Sequence, residues 1–245
     1  MKIIGVIPAR YASSRFPGKP LADICGKPMI YWVYQQAQKS KKLDQVYVAT
    51  DDERIESVCQ QYNIPVLMTS AYHETPADRM YEVSTRISAD LYVSINGDEP
   101  LISVESIEAA IPSEELYHDE FVGGVYTEII DAADLIDVTN IKVVTNDKEE
   151  CVYVSRTPVP YPKGVEDYAY KKYIGVVSFA PKALEFYVST QRGGLEKIEE
   201  IDLFRFIEHR KVIHFKKVST SSISVDTYKD LKKVIAIIQK QEADK

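Results

Sequence analysis

Apolar residues gather along this chain first into short continuous runs and then into stripes of helical spacing. Lys2 to Pro8 is a run rich in isoleucine and valine, the pattern of a parallel strand buried on both faces. From Ala9 to Pro28 the chain turns polar and dense in Gly and Pro, too broken for regular structure. Pro28 then suits the first turn of a helix that carries Ile30, Val33, Tyr34 and Ala37. The unit recurs: Gln45 to Ala49 reads as a strand, Asp51 as an N-cap, and Ile55, Val58, Cys59 and Tyr62 as an apolar helical stripe. Val66 to Thr69 predicts a third strand, followed by a helix with Met80, Val83 and Ile87. Leu91 to Ile95 predicts a fourth, ending at Asn96, Gly97, Asp98, Glu99 and Pro100. This alternation predicts an α/β fold with a doubly wound, mostly parallel sheet.

Past residue 120 the rhythm loosens, with strand-like stretches at Phe121 to Ile129, Ile141 to Thr145, Cys151 to Ser155 and Ile174 to Phe179. A Pro- and Tyr-rich segment, Thr157 to Tyr173, lies among them. Strands without intervening helices imply antiparallel additions, so this half reads as a mixed-sheet extension of one domain, 1–245, and not as a second domain. Leu195 to His209 then predicts a helix, Lys211 to Lys217 a strand, and Thr227 to Gln239 a closing helix, with Gln241 to Lys245 fraying.

With 245 residues, 45% of them hydrophobic, the chain is long enough for one large α/β core, although two small lobes would also fit. The net charge of −7 argues against a nucleic-acid partner, so any polyanionic ligand needs a local basic cluster. Cys25, Cys59 and Cys151 are odd in number and far apart, the arrangement of plain thiols. The opening MKIIGVIPAR has one lysine and an apolar run of about six residues, shorter than a signal-peptide core and far shorter than a membrane span, so a cytoplasmic protein without a membrane partner is expected.

Such a cluster lies in the loop from Pro8 to Leu21. It follows a buried strand, which places it at the carboxyl edge of the sheet, where open α/β folds bind ligands. Arg10, Arg15 and Lys19 among small residues and Gly18 provide what a triphosphate needs, with no Walker or dinucleotide glycine spacing. A solvated basic loop is the plainer alternative. Asp98 and Glu99, at a strand's carboxyl end beside this loop, suit magnesium (Mg2+), and equally an ordinary Asp-Glu-Pro turn. Asp226 is either a second metal ligand or, with Thr227, a helix cap. His73, His118, His209 and His214 show no ligand spacing, and Lys171-Lys172 and Lys216-Lys217 read as solvated pairs.

The run IPARYASSRFPGKPLADICGKPMI, followed in order by YVATDDERI, NGDEPLI, NIKVV, YVSRTPVPY and SVDTYKDL, resembles the bacterial 3-deoxy-manno-octulosonate (Kdo) cytidylyltransferases over most of the chain. That resemblance implies CTP as donor, an acidic keto-sugar as acceptor, and Mg2+ held by Asp98 and Asp226. It implies that Arg10, Ser13, Arg15 and Lys19 bind the CTP phosphates, with Pro8, Ala9, Arg79 and Asn96 completing the nucleotide side. Arg10, Lys19 and Asp98 would carry the catalysis. His73, Thr75, Tyr173, Val177, Glu196 and Glu199 would line the acceptor side. A homodimer built through about residues 130 to 210 is also implied.

The sequence departs from the family on the acceptor side. Asn96 stands where Gln is usual, Pro76 and Ala77 where Gly and Thr are usual, and Tyr173 and Val177 where His and Tyr are usual. Loss of hydrogen-bonding groups beside an intact nucleotide loop implies an unchanged donor and a changed acceptor. Among rivals, a sugar 1-phosphate nucleotidyltransferase would open on a Gly-rich stretch in place of IPAR. A catalytically silent nucleotide-binding relative would have lost Asp98 or Asp226, and an oxidoreductase would carry the dinucleotide fingerprint.

Overall fold

A computed structural model describes residues 1–12, 16–165, 167–220 and 222–243. The first half is built as the periodicity predicts. Strands β1 (Ile3–Ala9), β4 (Gln45–Thr50), β5 (Val66–Met68) and β6 (Leu91–Ile95) run parallel in the order β6-β1-β4-β5. Between β1 and β4 come the two-residue strands β2 (Asp23–Ile24) and β3 (Lys27–Pro28) and helix α1 (Met29–Ala37). The segment from Ala9 to Pro28 is thus less irregular than its composition suggests: it also holds a 3-10 turn at Lys19–Leu21, and β2 and β3 pair as a hairpin. Helices α2 (Glu53–Gln61) and α3 (Pro76–Arg86) make the next crossovers.

The cap of α2 is Asp52, whose carboxylate accepts the Arg54 amide, and not Asp51. Asp51 instead pairs with Arg79 at 3.2 Å. Thr75 caps α3 in a reciprocal capping box with Asp78.

The second half adds α4 (Val104–Ala109), β7 (Val122–Glu128), α5 (Ala132–Ile136), β8 (Lys142–Thr145), β9 (Cys151–Ser155), β10 (Lys171–Phe179), α6 (Pro181–Ser189), α7 (Gly194–Glu199), α8 (Phe204–Ile207), β11 (His214–Lys217) and α9 (Tyr228–Ala243). Strand β10 inserts antiparallel between β6 and β7 and also pairs with β8, which pairs with β9. Among the described residues, nine strands form one sheet.

Several expectations need correction here. Strand β11 joins β7 in parallel, because α6, α7 and α8 intervene and carry the chain back across the sheet. The stretch from Leu195 to His209 is two helices, since Glu200 takes a left-handed conformation (φ 52°) that ends α7. Helices α4, α5 and α6 lie outside the sequence expectations: α4 and α5 have only six and five residues, and α6, with nine, buries only Ala183, Leu184 and Tyr187. Helix α9 runs on through Gln241 to Ala243, while Asp244 and Lys245 lie outside the described residues. Lys171 is not solvated: its ammonium donates to Thr145 Oγ1 and lies 4.6 Å from the Tyr126 ring centre.

Two apolar layers cover the faces of the sheet. One contains Ile7, Ile30, Val33, Ile55 and Ile107, the other Met80, Val83, Leu184, Phe204 and Phe206. A third cluster joins Phe16, Ile24 and Met29 to Val225, Leu231 and Val234, so the C-terminal helix packs against the segment that follows β1. Burial of this kind, at about 25 cal/mol per Å² of apolar surface, is what brings the two ends of the chain together.

Candidate active site

At the carboxyl ends of β1 and β6 lies a cavity of about 270 Å³ lined by Pro8, Ala9, Arg10, Lys19, His73, Thr75, Arg79, Asn96, Asp98 and Asp226, among others. Its centre is ionic. The Lys19 ammonium donates to Asp98 Oδ2 at 2.6 Å and stands 3.6 Å from Asp226 Oδ1. Asp98 is carried by the turn after β6. Asp226 is brought beside it because the Val225 amide donates to the Asp98 carbonyl at 2.9 Å.

Thr227, not Asp226, shares the capping role at the start of α9. Thr227 Oγ1 accepts the Asp230 amide at 3.4 Å, and the Asp230 carboxylate accepts the Thr227 amide at 3.0 Å.

Asp98 Oδ1 is buried without a hydrogen-bond partner among the described residues. Two hard carboxylates, one with such an oxygen, suit Mg2+, which takes one or two protein carboxylates together with phosphate oxygens and water.

Glu99 does not join them. Its Oε1 accepts the Gly175 amide at 2.8 Å, and the Asn96 amide donates to the Gly175 carbonyl at 2.9 Å, which ties the turn to β10. A Cβ at Gly175 would lie 2.2 Å from that carboxylate oxygen, so only glycine permits the approach. Burial first, and then Asp98, push the Glu99 carboxyl up to about 7.

A second cavity, of about 470 Å³, shares Arg10, Glu74, Thr75, Pro76 and Asn96 with the first and extends over β10. Pro76, Ala77, Tyr173, Val177 and Glu196 line it, so together with Asn96 all five altered positions border one space. Glu196 is fully buried there and forks onto Arg205, with 2.9 Å from Nε and 2.6 Å from Nη2. Burial, then Asp202 and the carboxylates Glu99 and Asp98, raise the Tyr173 hydroxyl well above the usual tyrosine value.

Two expected acceptor residues lie elsewhere. His73 lines the first cavity and pairs with Glu82 at 2.5 Å, since its loop folds back on α3. Glu199 points away from the second cavity: its carboxylate accepts from Ser155 Oγ at 2.8 Å and from the Arg156 amide at 3.0 Å, fastening α7 to β9. Ser13 and Arg15 lie outside the described residues. Sequence reasoning missed Arg156, Arg192 and Asp202, which all line the second cavity. These isolated charges sit in connections of the second half, where no spacing marks them; only the fold gathers them.

Residues 4–217 match the profile of a family described as Cytidylyltransferase. The chain is 35% identical to the 3-deoxy-manno-octulosonate cytidylyltransferase of Escherichia coli, covering 99% of this chain and 98% of that one. It is 37% identical to the 8-amino-3,8-dideoxy-manno-octulosonate cytidylyltransferase of Shewanella sp. (strain ANA-3), covering 95% and 97%. Among solved structures, CMP:2-keto-3-deoxy-manno-octonic acid synthetase complexed with CTP superposes with a TM-score of 0.92 at 35% identity, over 98% of this chain and 100% of that one. The inositol-1-phosphate CTP transferase from T. maritima, at 14% identity and a TM-score of 0.69, covers 96% of each chain and shares the fold. An ionic centre at the carboxyl edge of the sheet and whole-length likeness to these enzymes agree: the chain belongs to the cytidylyltransferase family.

Proposed function

We propose that this protein transfers CMP from CTP to an acidic 2-keto-3-deoxy sugar of the Kdo type. The observation that carries the reading is the wall shared by the two cavities. Arg10, Glu74, Thr75, Pro76 and Asn96 border both, so a nucleotide in the first and a sugar in the second would meet there. The anomeric hydroxyl of the sugar bonds to the α-phosphorus, the bond from that phosphorus to the bridging oxygen breaks, pyrophosphate leaves, and the hydroxyl proton passes to solvent.

Little covalent work falls to the protein, so positioning and charge neutralisation supply the acceleration. Arg10 and Lys19 neutralise the phosphates, and Arg79, held by Asp51, shapes the wall of the nucleotide side. Asp98 and Asp226 would hold Mg2+, which when bound withdraws charge from the phosphate oxygens.

On the acceptor side the Pro76, Ala77 and Val177 side chains offer no hydrogen bonds, while Asp202 lines the same space. We read the acceptor as one that keeps the acidic keto-sugar head and differs from Kdo in its tail. The relatives themselves divide between Kdo and its 8-amino, 8-deoxy counterpart, which supports a tail open to change. The reaction is read as cytoplasmic: it draws on CTP, and no described helix is long and apolar enough to cross a membrane. A homodimer fits the exposed apolar side chains of the extension, among them Ile130, Ile136, Val138, Val152 and Tyr161.

Pyrophosphate release with each of the four NTPs against a panel of keto-acid sugars tests the reading. CTP should be preferred, excess EDTA should abolish turnover, and Kdo should not give the highest kcat/KM of the panel. Equal use of ATP sinks the donor assignment, and a best kcat/KM on Kdo sinks the altered tail.

Asp98→Asn and Asp226→Asn should each lower kcat at least about a hundredfold while the fold, followed by circular dichroism, stays intact. Near-normal turnover of Asp226→Asn would remove Asp226 from the metal site.

Burial, and then Glu196, push the Asp202 carboxyl up to about 6, above its usual 3.8. The folded chain therefore binds this proton more tightly than the unfolded chain, so the group's contribution to stability falls as pH rises from about 4 to about 6. Asp202→Asn should raise the melting temperature by about 2–4 °C at pH 7.5, with the gain fading below about pH 5, while the acceptor KM rises. An unchanged or lower melting temperature at pH 7.5 counts against it.

Light scattering of the purified protein should give twice the chain mass; a monomer at micromolar concentration removes the dimer.

A further inference from the structure

The two ends of the phosphate-binding segment are held by a contact outside both cavities. The Gly18 amide donates to the Tyr11 carbonyl at 3.0 Å, which ties these two residues together. Gly18 has φ 72°, and a Cβ there would lie 3.1 Å from the Tyr11 ring, so glycine supplies both the left-handed backbone and the room. The same ring meets Arg54, whose guanidinium carbon stands 3.3 Å from the ring centre, a stacked contact.

Arg54 is itself fixed. Its Nε and Nη2 donate to Asp52 Oδ1 and Oδ2 at 2.9 and 2.7 Å, and Asp52 is held in turn as the cap of α2. This side chain is 60% exposed and is not among the residues lining either cavity. A fork between neighbours in sequence, exposed to water, contributes little to stability by itself. What it does is hold a planar cation flat against Tyr11.

We propose that Arg54 is a positioning residue for the nucleotide: the Asp52–Arg54–Tyr11 stack fixes Tyr11, and through its carbonyl Gly18, so that their chain neighbours Arg10 and Lys19 are in place before the triphosphate arrives. The inference rests on the reading of CTP as donor. Anchor residues fixed in advance lose less conformational freedom on binding, so the stack strengthens nucleotide binding without touching the reacting atoms. Neighbouring Asp51 orders Arg79 from the same turn, so one helix start serves both sides of the nucleotide cavity.

Steady-state kinetics of Arg54→Met, which keeps the apolar stem and loses the planar cation, should show the CTP KM raised about three- to tenfold. The kcat should hold within about twofold, and the acceptor KM should not change. Tyr11→Leu should give the same split. The double variant should be no worse than the poorer single, because both substitutions break one contact. An unchanged CTP KM in Arg54→Met, additive losses in the double variant, or a lowered melting temperature with unaltered kinetics overturns the proposal. So does a strongly salt-dependent loss confined to Arg54→Met, which would mean that Arg54 meets the phosphates itself. Failure of the donor reading looks different: wild-type protein then prefers another NTP, and the same variants are judged on the KM for that nucleotide.

Discussion

Two carboxylates at one point repel each other unless a cation lies between them, and the architecture of this protein follows from meeting that condition. Asp98 comes from the middle of the chain, Asp226 from near its end, and Lys19 from near its start. The side chains are 16–24% exposed, too enclosed for water alone to screen them. Lys19 answers the repulsion, and the apolar cluster of Phe16, Ile24, Val225 and Leu231 keeps the first and last segments in place around it. A divalent ion would serve the same electrostatic need while leaving the ammonium for phosphate oxygens.

The donor and acceptor sides are not independent. Glu99 follows Asp98 directly and receives the Gly175 amide, so the turn bearing a candidate metal ligand is fastened to the strand bearing Tyr173 and Val177. Strand β10 breaks its regular pairing with β7 between Ile174 and Val177, at the place where Glu99 engages it. The two sides of the site are therefore joined at Gly175, whose amide meets the Glu99 carboxylate and whose carbonyl accepts the Asn96 amide.

Most of the parallel half was legible because its strands are continuous apolar runs and its helices carry one buried stripe. The cap of α2 lay one residue off because Asp51 and Asp52 satisfy the same local rule, and only the position of Arg79 separates them. The break at Glu200 left no mark, since apolar residues continue past it with neither Gly nor Pro to stop the pattern. Lys19, Asp98 and Asp226 stood out by residue type and by position at strand ends. Asp202, Arg156 and Arg192 did not, because single charges in connecting segments acquire meaning only when long-range pairing gathers them. His73 and Glu199 were drawn to the acceptor side by family pattern, whereas local partners, Glu82 and Ser155, decide where they point.

The place of β10 inside the sheet bears on how the molecule is made. During synthesis β6 leaves its outer edge without a partner until residues 171–179 emerge, so the growing chain holds an open strand edge through much of its second half. An edge of this kind is a template for pairing with other chains. Closing it waits on a contact far along the sequence, and such contacts slow folding. Asp226 emerges later still. A chain cut short before it would carry Lys19 and Asp98 but not Asp226, so truncation products would be aggregation-prone and would lack a complete ionic centre, and the cell would gain from removing them early.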